Sequence, residues 1–351
     1  MAQKWAVVRS YAGPSALELL SFPIPASLSD DDVLVRVLAT TATYTDLMIL
    51  AGTYSPKPPL PCTPGYDLIG VVAAVGARVT SVAVGDRVAA MPQAGCCATH
   101  VVLPEKLVLG VRADVAPERA VAVVLTGVTA YQMLHRARGV APLTPASRLL
   151  VHGVGGGTGA MLVKLALIAG VPASGIFGTC SAKSMGVARD LGIRAFDYKA
   201  DDWAAGVLAA TGGAGVDLVL DAVVLGGYLA KGLRCLRKGG AYVAYGVTST
   251  ANPGSLDILA AIGGFTAIGL QESLWSCFDG KRATFFNVAD ERDKQSDRFA
   301  ADLRRLIDLV AAGTLDPVVG KTWTFAEAKL ALEGIAANNH TGKQVITIAS
   351  A

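Results

Sequence analysis

Short apolar runs separated by turns rich in Gly, Pro and Asp recur about every ten residues through roughly the first 120 positions. Runs such as "DDVLVRVLATTA", "LIGVVAAVG" and "ATHVVLP" are apolar or alternate between apolar and polar residues. That pattern is typical of strands that bury one face. This part of the sequence therefore predicts a compact, barrel-like β domain.

The pattern changes near residue 121, where the period becomes helical in "ERAVAVVLTGVTAYQMLHRA". Buried strands then alternate with helices. The predicted strands are "RLLVHG", "SGIFGTC", "RAFDY", "VDLVLDAV" and "AYVAYG". The predicted helices are "GTGAMLVKLALIAG", "AKSMGVARDLG", "WAAGVLAATGG" and "YLAKGLRCLRKGG". Such alternation predicts a parallel sheet covered by helices on both faces.

The C-terminal part returns to a mixed pattern. "DRFAADLRRLIDLVAAGTLDP" predicts an amphipathic helix that ends before Gly313. "TFAEAKLALEGIAAN" predicts a second helix, with Thr324 and Glu327 at the spacing of a capping box. "KQVITIAS" predicts a closing strand. The stretch from Gln271 to Ser296 has no clear period and is interpreted as a loop insertion.

Composition excludes several classes of protein. Mean hydropathy is +0.46, yet the stretch without charges from Ala120 to Leu134 falls short of the roughly 18 residues that span a bilayer. Net charge is +3 with no basic block, so neither a membrane nor a nucleic acid is expected as a partner. No signal peptide is evident at the N-terminus, and the six scattered cysteines are typical of reduced thiols. A cytoplasmic location is expected.

The motif "LLVHGVGGGTGAMLVKLALIAG" gives the clearest chemical signal. A buried strand runs into Gly153, Gly156 and Gly159, and a helix follows at once. Glycines let backbone N–H groups approach a pyrophosphate, and the helix N-terminus adds donors and a favourable dipole. Although the spacing departs from G-x-G-x-x-G, the strand, loop and helix predict a dinucleotide site. The alternative is a tight turn without a ligand.

The end of the next strand predicts which dinucleotide binds. An NAD site usually has a carboxylate there for the ribose 2′-hydroxyl, but this sequence reads "GTCSAKS". Ser181 and Lys183 can instead donate to a 2′-phosphate. The sequence therefore predicts NADPH, with a solvated surface lysine as the alternative interpretation of Lys183.

Taken together, several motifs in order resemble the medium-chain dehydrogenase/reductase superfamily and, within it, the zinc-free quinone oxidoreductase branch. They include "AGTYSPKPPLPCTPGYDLIGVVAAVG", "VGDRVAA", "LTGVTAY", the glycine loop, "LRKGGAYVAYG" and "GKQVIT". The resemblance implies an α/β fold with a GroES-like β-barrel catalytic domain and a Rossmann domain with a doubly wound parallel sheet. It places the first part of the catalytic domain at 1–122, the Rossmann domain at 123–265 and the C-terminal return at 266–351. It also implies an active site between the domains and a homodimer.

The same resemblance assigns cofactor-binding residues. The pyrophosphate loop corresponds to Gly153, Gly156, Gly157 and Gly159. The adenosine-phosphate pocket corresponds to Gly178, Ser181, Lys183 and Tyr198. The nicotinamide end is assigned to Thr129, and two later cofactor-contacting loops are assigned to Gly246 and Gln271.

Zinc-dependent relatives carry His-Glu where this chain has Tyr66-Asp67. Zinc needs three protein ligands, which a lone Asp67 cannot supply, so no metal is expected. Tyr66 and Asp67 are predicted to line the substrate cleft. The alternative is a packed tyrosine and an aspartate that caps a turn.

Hydride transfer to a quinone or to the C=C of an α,β-unsaturated carbonyl needs no metal, because the acceptor's own carbonyl takes up the charge. Tyr54 is the predicted catalytic hydroxyl, with Tyr44 and Asp46 as further candidates. Relatives often have Asn at Thr43 and Arg at Leu50, so the substrate contacts stay open. The expected partner is a small quinone or enone. Two other functions stay open: an enoyl-thioester reductase of polyketide or fatty-acid type, and a non-catalytic NADPH-binding protein.

Overall fold

The computed structural model describes residues 1–246 and 280–348. Their contacts divide the chain into two units. The first contains Met1–Val128 and Arg292–Ala351, and the second contains Thr129–Glu291. The sequence-based boundaries at 122 and 265 differ from these, and residue 265 lies outside the described ranges. Each unit is described by itself.

Strands dominate the first part of the described chain, and strands alternate with helices over residues 117–244. In order, the strands are β1 (Ala2–Val7), β2 (Leu17–Phe22), β3 (Asp32–Ala42), β4 (Leu68–Val75), β5 (Arg87–Ala90), β6 (His100–Pro104), β7 (Val108–Gly110), β8 (Leu149–His152), β9 (Ile176–Cys180), β10 (Arg194–Asp197), β11 (Val216–Asp221), β12 (Leu236–Ala244), β13 (Arg282–Phe285), β14 (Val319–Thr324) and β15 (Lys343–Thr347). The helices are α1 (Tyr44–Leu50), α2 (Pro117–His135), α3 (Gly157–Ile168), α4 (Met185–Asp190), α5 (Trp203–Ala210), α6 (Tyr228–Cys235), α7 (Val288–Lys294), α8 (Ser296–Ala311) and α9 (Ala328–Ala336).

The first unit is built on a seven-stranded sheet in the order β14-β15-β3-β4-β5-β7, with β6 paired to β3. Most pairs are antiparallel, and β14 and β15 are parallel. Inward-facing residues of β3, such as Val33, Val35 and Val37, pack on Leu68 and Val88 to form the core. Strand β3, the longest described strand, pairs with β4 and so fixes the position of the turn that precedes β4.

The second unit is a parallel six-stranded sheet in the order β10-β9-β8-β11-β12-β13. The order reverses beside β8, the first strand of the unit. Strands β8 and β9 are buried along their whole length, as expected for a parallel sheet with covered faces. Ligands of such sheets bind beyond the carboxyl ends of the strands, at the point where the order reverses. The glycine loop follows β8 at that point.

Three regions differ from the sequence-based expectations. Arg282–Phe285 and Val288–Lys294 form β13 and α7 where a loop insertion was expected, because these short elements give no periodic signal. The strand β13 also pairs with β12, so this part of the expected C-terminal return belongs to the parallel sheet. The helix predicted over "YLAKGLRCLRKGG" ends at Cys235, and its last residues open β12. Helix α1 was not predicted.

The predicted helix ends of the C-terminal part are confirmed. Helix α8 ends at Ala311, and Gly313 follows with a positive φ of 70°. Thr324 and Glu327 form the expected capping box before α9. Throughout the described part of the chain, every helix is too short or too polar to cross a bilayer.

Candidate functional site

The glycine loop joins β8 to α3. Gly153 has a φ of 76°, which favours glycine, and Gly156 is the N-cap of the helix. A Cβ on Gly159 would lie 2.7 Å from the carbonyl carbon of Gly153 and closer still to its oxygen. Gly159 therefore lets the helix approach the turn closely. Because Gly156 has no side chain, the N–H groups of the first turn of α3, which begins at Gly157, can face a ligand.

The predicted adenosine pocket lies at the carboxyl end of β9. Gly178 is within the strand, where an added Cβ would meet the side chain of Val154 at 2.7 Å. Ser181 follows the strand, and its hydroxyl lies 3.3 Å from the hydroxyl of Ser184. Lys183 is exposed, and the Tyr198 N–H donates to the Cys180 carbonyl at 3.1 Å. Ser181 and Lys183 thus follow β9, and Tyr198, which follows β10, is hydrogen-bonded to the last residue of β9.

The other predicted cofactor contacts are placed individually. Thr129 lies in α2, where its hydroxyl oxygen is buried and has no hydrogen-bond partner within the described ranges. A buried hydroxyl of this kind fits a contact with a bound ligand. Gly246 follows β12, and a Cβ added there would lie 3.3 Å from the Ala222 carbonyl oxygen. Gln271 lies outside the described residues.

Tyr54 and Tyr66, both in the first unit, share a hydrogen bond. Their hydroxyl oxygens are 3.0 Å apart, and the rings meet edge to face with centroids 6.2 Å apart. The amide Nε2 of Gln93 donates to the Tyr54 hydroxyl at 3.1 Å. Tyr66 is only 3% exposed, whereas Tyr54 is half-buried. Burial, and then the neighbouring Tyr54, raises the pKa of Tyr66, so that Tyr66 stays protonated.

Backbone pairing between two loops brings Gln93 to the tyrosines. The N–H of Gln93 donates to the Tyr66 carbonyl at 3.2 Å, and the N–H of Cys96 donates to the Gly65 carbonyl at 3.1 Å. Gly65 has a φ of 96°, and a Cβ there would lie 2.7 Å from the Cys96 carbonyl carbon. Gln93 has a φ of 80°, a region that costs a non-glycine residue about 1–2 kcal/mol. Such strain is often found at functional sites.

Arg292 adds a positive charge beside this pair. Its guanidinium is 10% exposed, donates to the Met91 carbonyl and pairs with Asp293 at 2.7 Å. The Gln93 amide and the Arg292 charge both act to lower the pKa of Tyr66, against the larger effect of burial. The network therefore carries donors and a cation that favour a negatively charged oxygen.

Asp46 is engaged by its own helix and by the neighbouring loop. One carboxylate oxygen accepts from the Thr43 N–H at 2.8 Å and from the Thr43 hydroxyl at 2.6 Å, which completes the capping box of α1. The other accepts from the Gly65 N–H at 2.7 Å. Burial raises the pKa of Asp46 to about 6. These contacts hold the start of α1 against the turn at Gly65. Tyr44 is the first residue of the same helix.

Asp67 is also fully buried. Its carboxylate accepts from the Thr41 hydroxyl and, at 3.0 Å, from the Leu125 N–H of α2. Burial raises the pKa of Asp67, and the charge of Lys343 opposes that effect. The ammonium of Lys343 is itself buried and, among the described residues, has no hydrogen-bond partner. Asp67, which precedes β4, thus links the start of that strand to β3 and to α2.

Comparison with known families identifies the fold. Residues 29–145 match the family model of the alcohol dehydrogenase GroES-like domain, and residues 191–346 match that of a zinc-binding dehydrogenase. Together the two matches span more than three quarters of the chain. The chain belongs to the medium-chain dehydrogenase/reductase superfamily. The predicted GroES-like and Rossmann architecture is thereby confirmed.

Relatives of this dehydrogenase/reductase cover nearly its whole length. The human synaptic vesicle membrane protein VAT-1 homolog-like is 27% identical over 97% of this chain and 80% of its own. A solved quinone oxidoreductase of Pseudomonas syringae pv. tomato is 26% identical with a TM-score of 0.82, covering 99% of this chain and all of its own. The Escherichia coli quinone oxidoreductase, solved with NADPH, is 22% identical with a TM-score of 0.81, covering 98% and 99%. These neighbours support placement in the zinc-free branch.

The residues present do not fit a zinc site, although one matching family is named for zinc binding. Tyr66 bonds Tyr54, and the carboxylate of Asp67 is taken up by Thr41 and Leu125. Within 1–246 and 280–348, no three side chains of His, Cys, Asp or Glu gather where they could hold a metal ion.

Sequence analysis did not single out Gln93 or Arg292. Gln93 lies in a loop 27 positions after Tyr66 and Arg292 lies in a helix near the C-terminal part, so neither belongs to a local motif. The sequence does contain a local signal for the start of helix α1, because Thr43 and Asp46 have the spacing of a capping box.

Proposed function

We propose that this protein is an NADPH-dependent, metal-independent reductase that transfers hydride to a quinone or to the C=C of an α,β-unsaturated carbonyl. The observation that carries the proposal is the hydroxyl pair of Tyr54 and Tyr66, of which Tyr66 stands where zinc-dependent relatives have a metal ligand. In such a site hydroxyl groups, and not a metal ion, would stabilise the developing negative charge. This arrangement is appropriate for the reduction of an acceptor whose own carbonyl group takes up that charge.

The preference for NADPH is supported by the end of β9. Ser181 and the exposed Lys183 follow the strand, where an NAD-specific site would have a carboxylate. A lysine can pair with a 2′-phosphate, and without a carboxylate there is no repulsion. The E. coli quinone oxidoreductase of the same fold was solved with NADPH. The glycine loop of Gly153, Gly156, Gly157 and Gly159 would hold the pyrophosphate.

The bound dinucleotide would supply a hydride to the electrophilic carbon of the acceptor. Negative charge then develops on the acceptor's carbonyl oxygen, and a hydroxyl donor at that oxygen lowers the barrier. Tyr54 is our choice for this donor, because its hydroxyl is half-buried and already part of a hydrogen-bonded network. Thr129 would contact the nicotinamide end. A cytosolic location and a homodimer remain predictions from the sequence.

The test is NADPH oxidation against four acceptors: a quinone, an enone, an enal and a crotonyl thioester. Turnover of the quinone, enone or enal supports the proposal. Turnover of the thioester alone would favour an enoyl-thioester reductase instead. Tight NADPH binding without turnover of any acceptor would favour a non-catalytic NADPH-binding protein.

A Tyr54→Phe variant makes the test specific to the site. It should lower kcat by about 100-fold, because a positioned general acid typically contributes about 10²–10⁴ in rate. A matched control is Tyr11→Phe, which removes a hydroxyl that donates to the Pro58 carbonyl in the same unit. NADPH affinity should be unchanged in both variants.

A further inference from the structure

The hydroxyl of Tyr54 can accept two hydrogen bonds and donate one. Nε2 of Gln93 donates to it at 3.1 Å, which fills one acceptor position. The Tyr66 hydroxyl lies 3.0 Å away, and either oxygen could be the donor. The direction of that second bond decides whether the proton of Tyr54 is free.

Burial settles the direction. Tyr66 is nearly inaccessible, so its hydroxyl proton needs an acceptor within the protein. Gln93 acts on Tyr66 as a donor that lowers its pKa, so among the described residues the acceptor for this proton is the hydroxyl of Tyr54. If Tyr54 donated to Tyr66, the proton of Tyr66 would have no acceptor. Tyr66 therefore donates to Tyr54, which leaves the single proton of Tyr54 for a third partner on its accessible side.

We propose that Gln93 and Tyr66 are positioning residues that hold Tyr54 with its proton directed toward the acceptor, so that Tyr54 completes the reduction. In the step, hydride adds to the electrophilic carbon and the carbonyl takes up the electron pair. The O–H bond of Tyr54 then breaks and its proton moves to the acceptor. The phenolate that remains is held by the Gln93 amide and the Tyr66 hydroxyl until water returns a proton. This inference rests on the proposed function.

The backbone of Gln93 supports a functional constraint at this position. Its φ of 80° is a conformation that glycine or asparagine adopts more easily. The side chain must therefore supply something that those residues would not, and the donor to Tyr54 is the contact that it makes. The guanidinium of Arg292, which is 10% exposed, acts to lower the pKa of the neighbouring Tyr66.

Two substitutions at Gln93 test the donor directly. Gln93→Met keeps the length of the side chain but has no N–H. Gln93→Glu keeps the shape but offers an acceptor, which would draw the Tyr54 proton inward. Both should lower kcat by about 10–100-fold, with KM and NADPH affinity changed by less than about threefold. Tyr66→Phe, which also removes a donor to Tyr54, should lower kcat in the same way. Gln3→Met, on the exposed side of β1, is the matched control and should behave as the wild type.

A double-variant cycle shows whether Gln93 acts through Tyr54. In a Tyr54→Phe background, Gln93→Met should lower kcat by less than about twofold. The solvent deuterium isotope effect on kcat should be present in the wild type and lost with Tyr54→Phe. If Gln93→Met does not fold, Gln93→Asn serves instead, since asparagine tolerates this φ and its amide is one methylene too short.

Each outcome decides between the claims. Wild-type turnover with kcat unchanged in the Gln93 variants would overturn this inference and leave the proposed function standing. Equal activity of Gln93→Glu and the wild type would show that Tyr54 donates to Gln93, which also overturns it. Failure of the wild type to reduce any acceptor, with NADPH bound, would overturn the proposed function and this inference with it.

Discussion

Replacing Gly65 with alanine would place a methyl group inside the pairing of the two loops that carry Tyr66 and Gln93. The new Cβ would lie 2.7 Å from the Cys96 carbonyl carbon and closer still to the Cys97 nitrogen. Both are backbone atoms, so no side-chain rotation can relieve the clash. The residue also has a φ of 96°, which alanine adopts at a cost of about 1–2 kcal/mol.

The expected loss of stability combines these two effects. Overpacking at a rigid contact costs about 1–3 kcal/mol, so the total should be about 2–5 kcal/mol. The assay is urea unfolding of the whole chain, followed by circular dichroism. Gly95→Ala is the matched control, because Gly95 has a φ of 99° but an added Cβ would have no atom within 4 Å. That variant should lose only the conformational part, about 1–2 kcal/mol.

The difference between the two variants isolates the steric contact. Equal losses for Gly65→Ala and Gly95→Ala would refute the reasoning, because they would show that the loops give way without cost. The same displacement should move Gln93 from Tyr54. Gly65→Ala should therefore also lower the rate of NADPH oxidation, and Gly95→Ala should lower it less.

Three further predictions concern the cofactor and pH. Gly159→Ala should weaken NADPH binding at least tenfold, because the added Cβ would clash with the turn at Gly153. The control Gly186→Ala, whose added Cβ would have no atom within 4 Å, should leave binding unchanged, and equal affinities of the two variants in a fluorescence titration would contradict the prediction. Lys183→Ala should raise the Kd for NADPH about tenfold and leave that for NADH unchanged, and a wild type that prefers NADH would contradict the assignment. Asp46 has a pKa of about 6 in the folded protein and about 4 in the unfolded chain, so its contribution to stability is lost as the pH rises. Between pH 4 and pH 7 the free energy of unfolding of the wild type should therefore fall by up to about 3 kcal/mol relative to that of Asp46→Asn. Parallel pH dependences of the two proteins in urea unfolding would contradict this prediction.

The strand, loop and helix of the candidate cofactor site could be predicted because their signals are local. The strand β8, the glycines after it and helix α3 are consecutive in the sequence, and each has its own pattern. The alternating strands and helices then fix the parallel sheet and the place where its order reverses. Where local signals were weak, the prediction was wrong. "LRKGG" has the composition of a helix end, yet it opens β12, with Gly239 at a φ of 73°.

The hydrogen-bonded network of the candidate catalytic residues could be predicted only in part, because its contacts join distant loops. Tyr54 and Tyr66 were named as single residues, but their shared hydrogen bond depends on how two turns face each other. Asp46 was a catalytic candidate by residue type. Its capping-box spacing indicates the bond from the Thr43 N–H, but no pattern in the sequence shows that it also accepts from the Gly65 N–H.

Gln93 shows the limit most clearly, since neither its neighbours in the sequence nor its residue type indicates a role. Its position follows from backbone hydrogen bonds between its loop and the loop of Tyr66, and those bonds form only because Gly65 allows the loops to approach. A glycine required by packing in one loop thus determines which amide reaches a hydroxyl from the other. The activity of Tyr54 is therefore expected to depend on Gly65 through Gln93. Combining Gly65→Ala with Gln93→Met should then reduce kcat no further than the more severe of the two single substitutions.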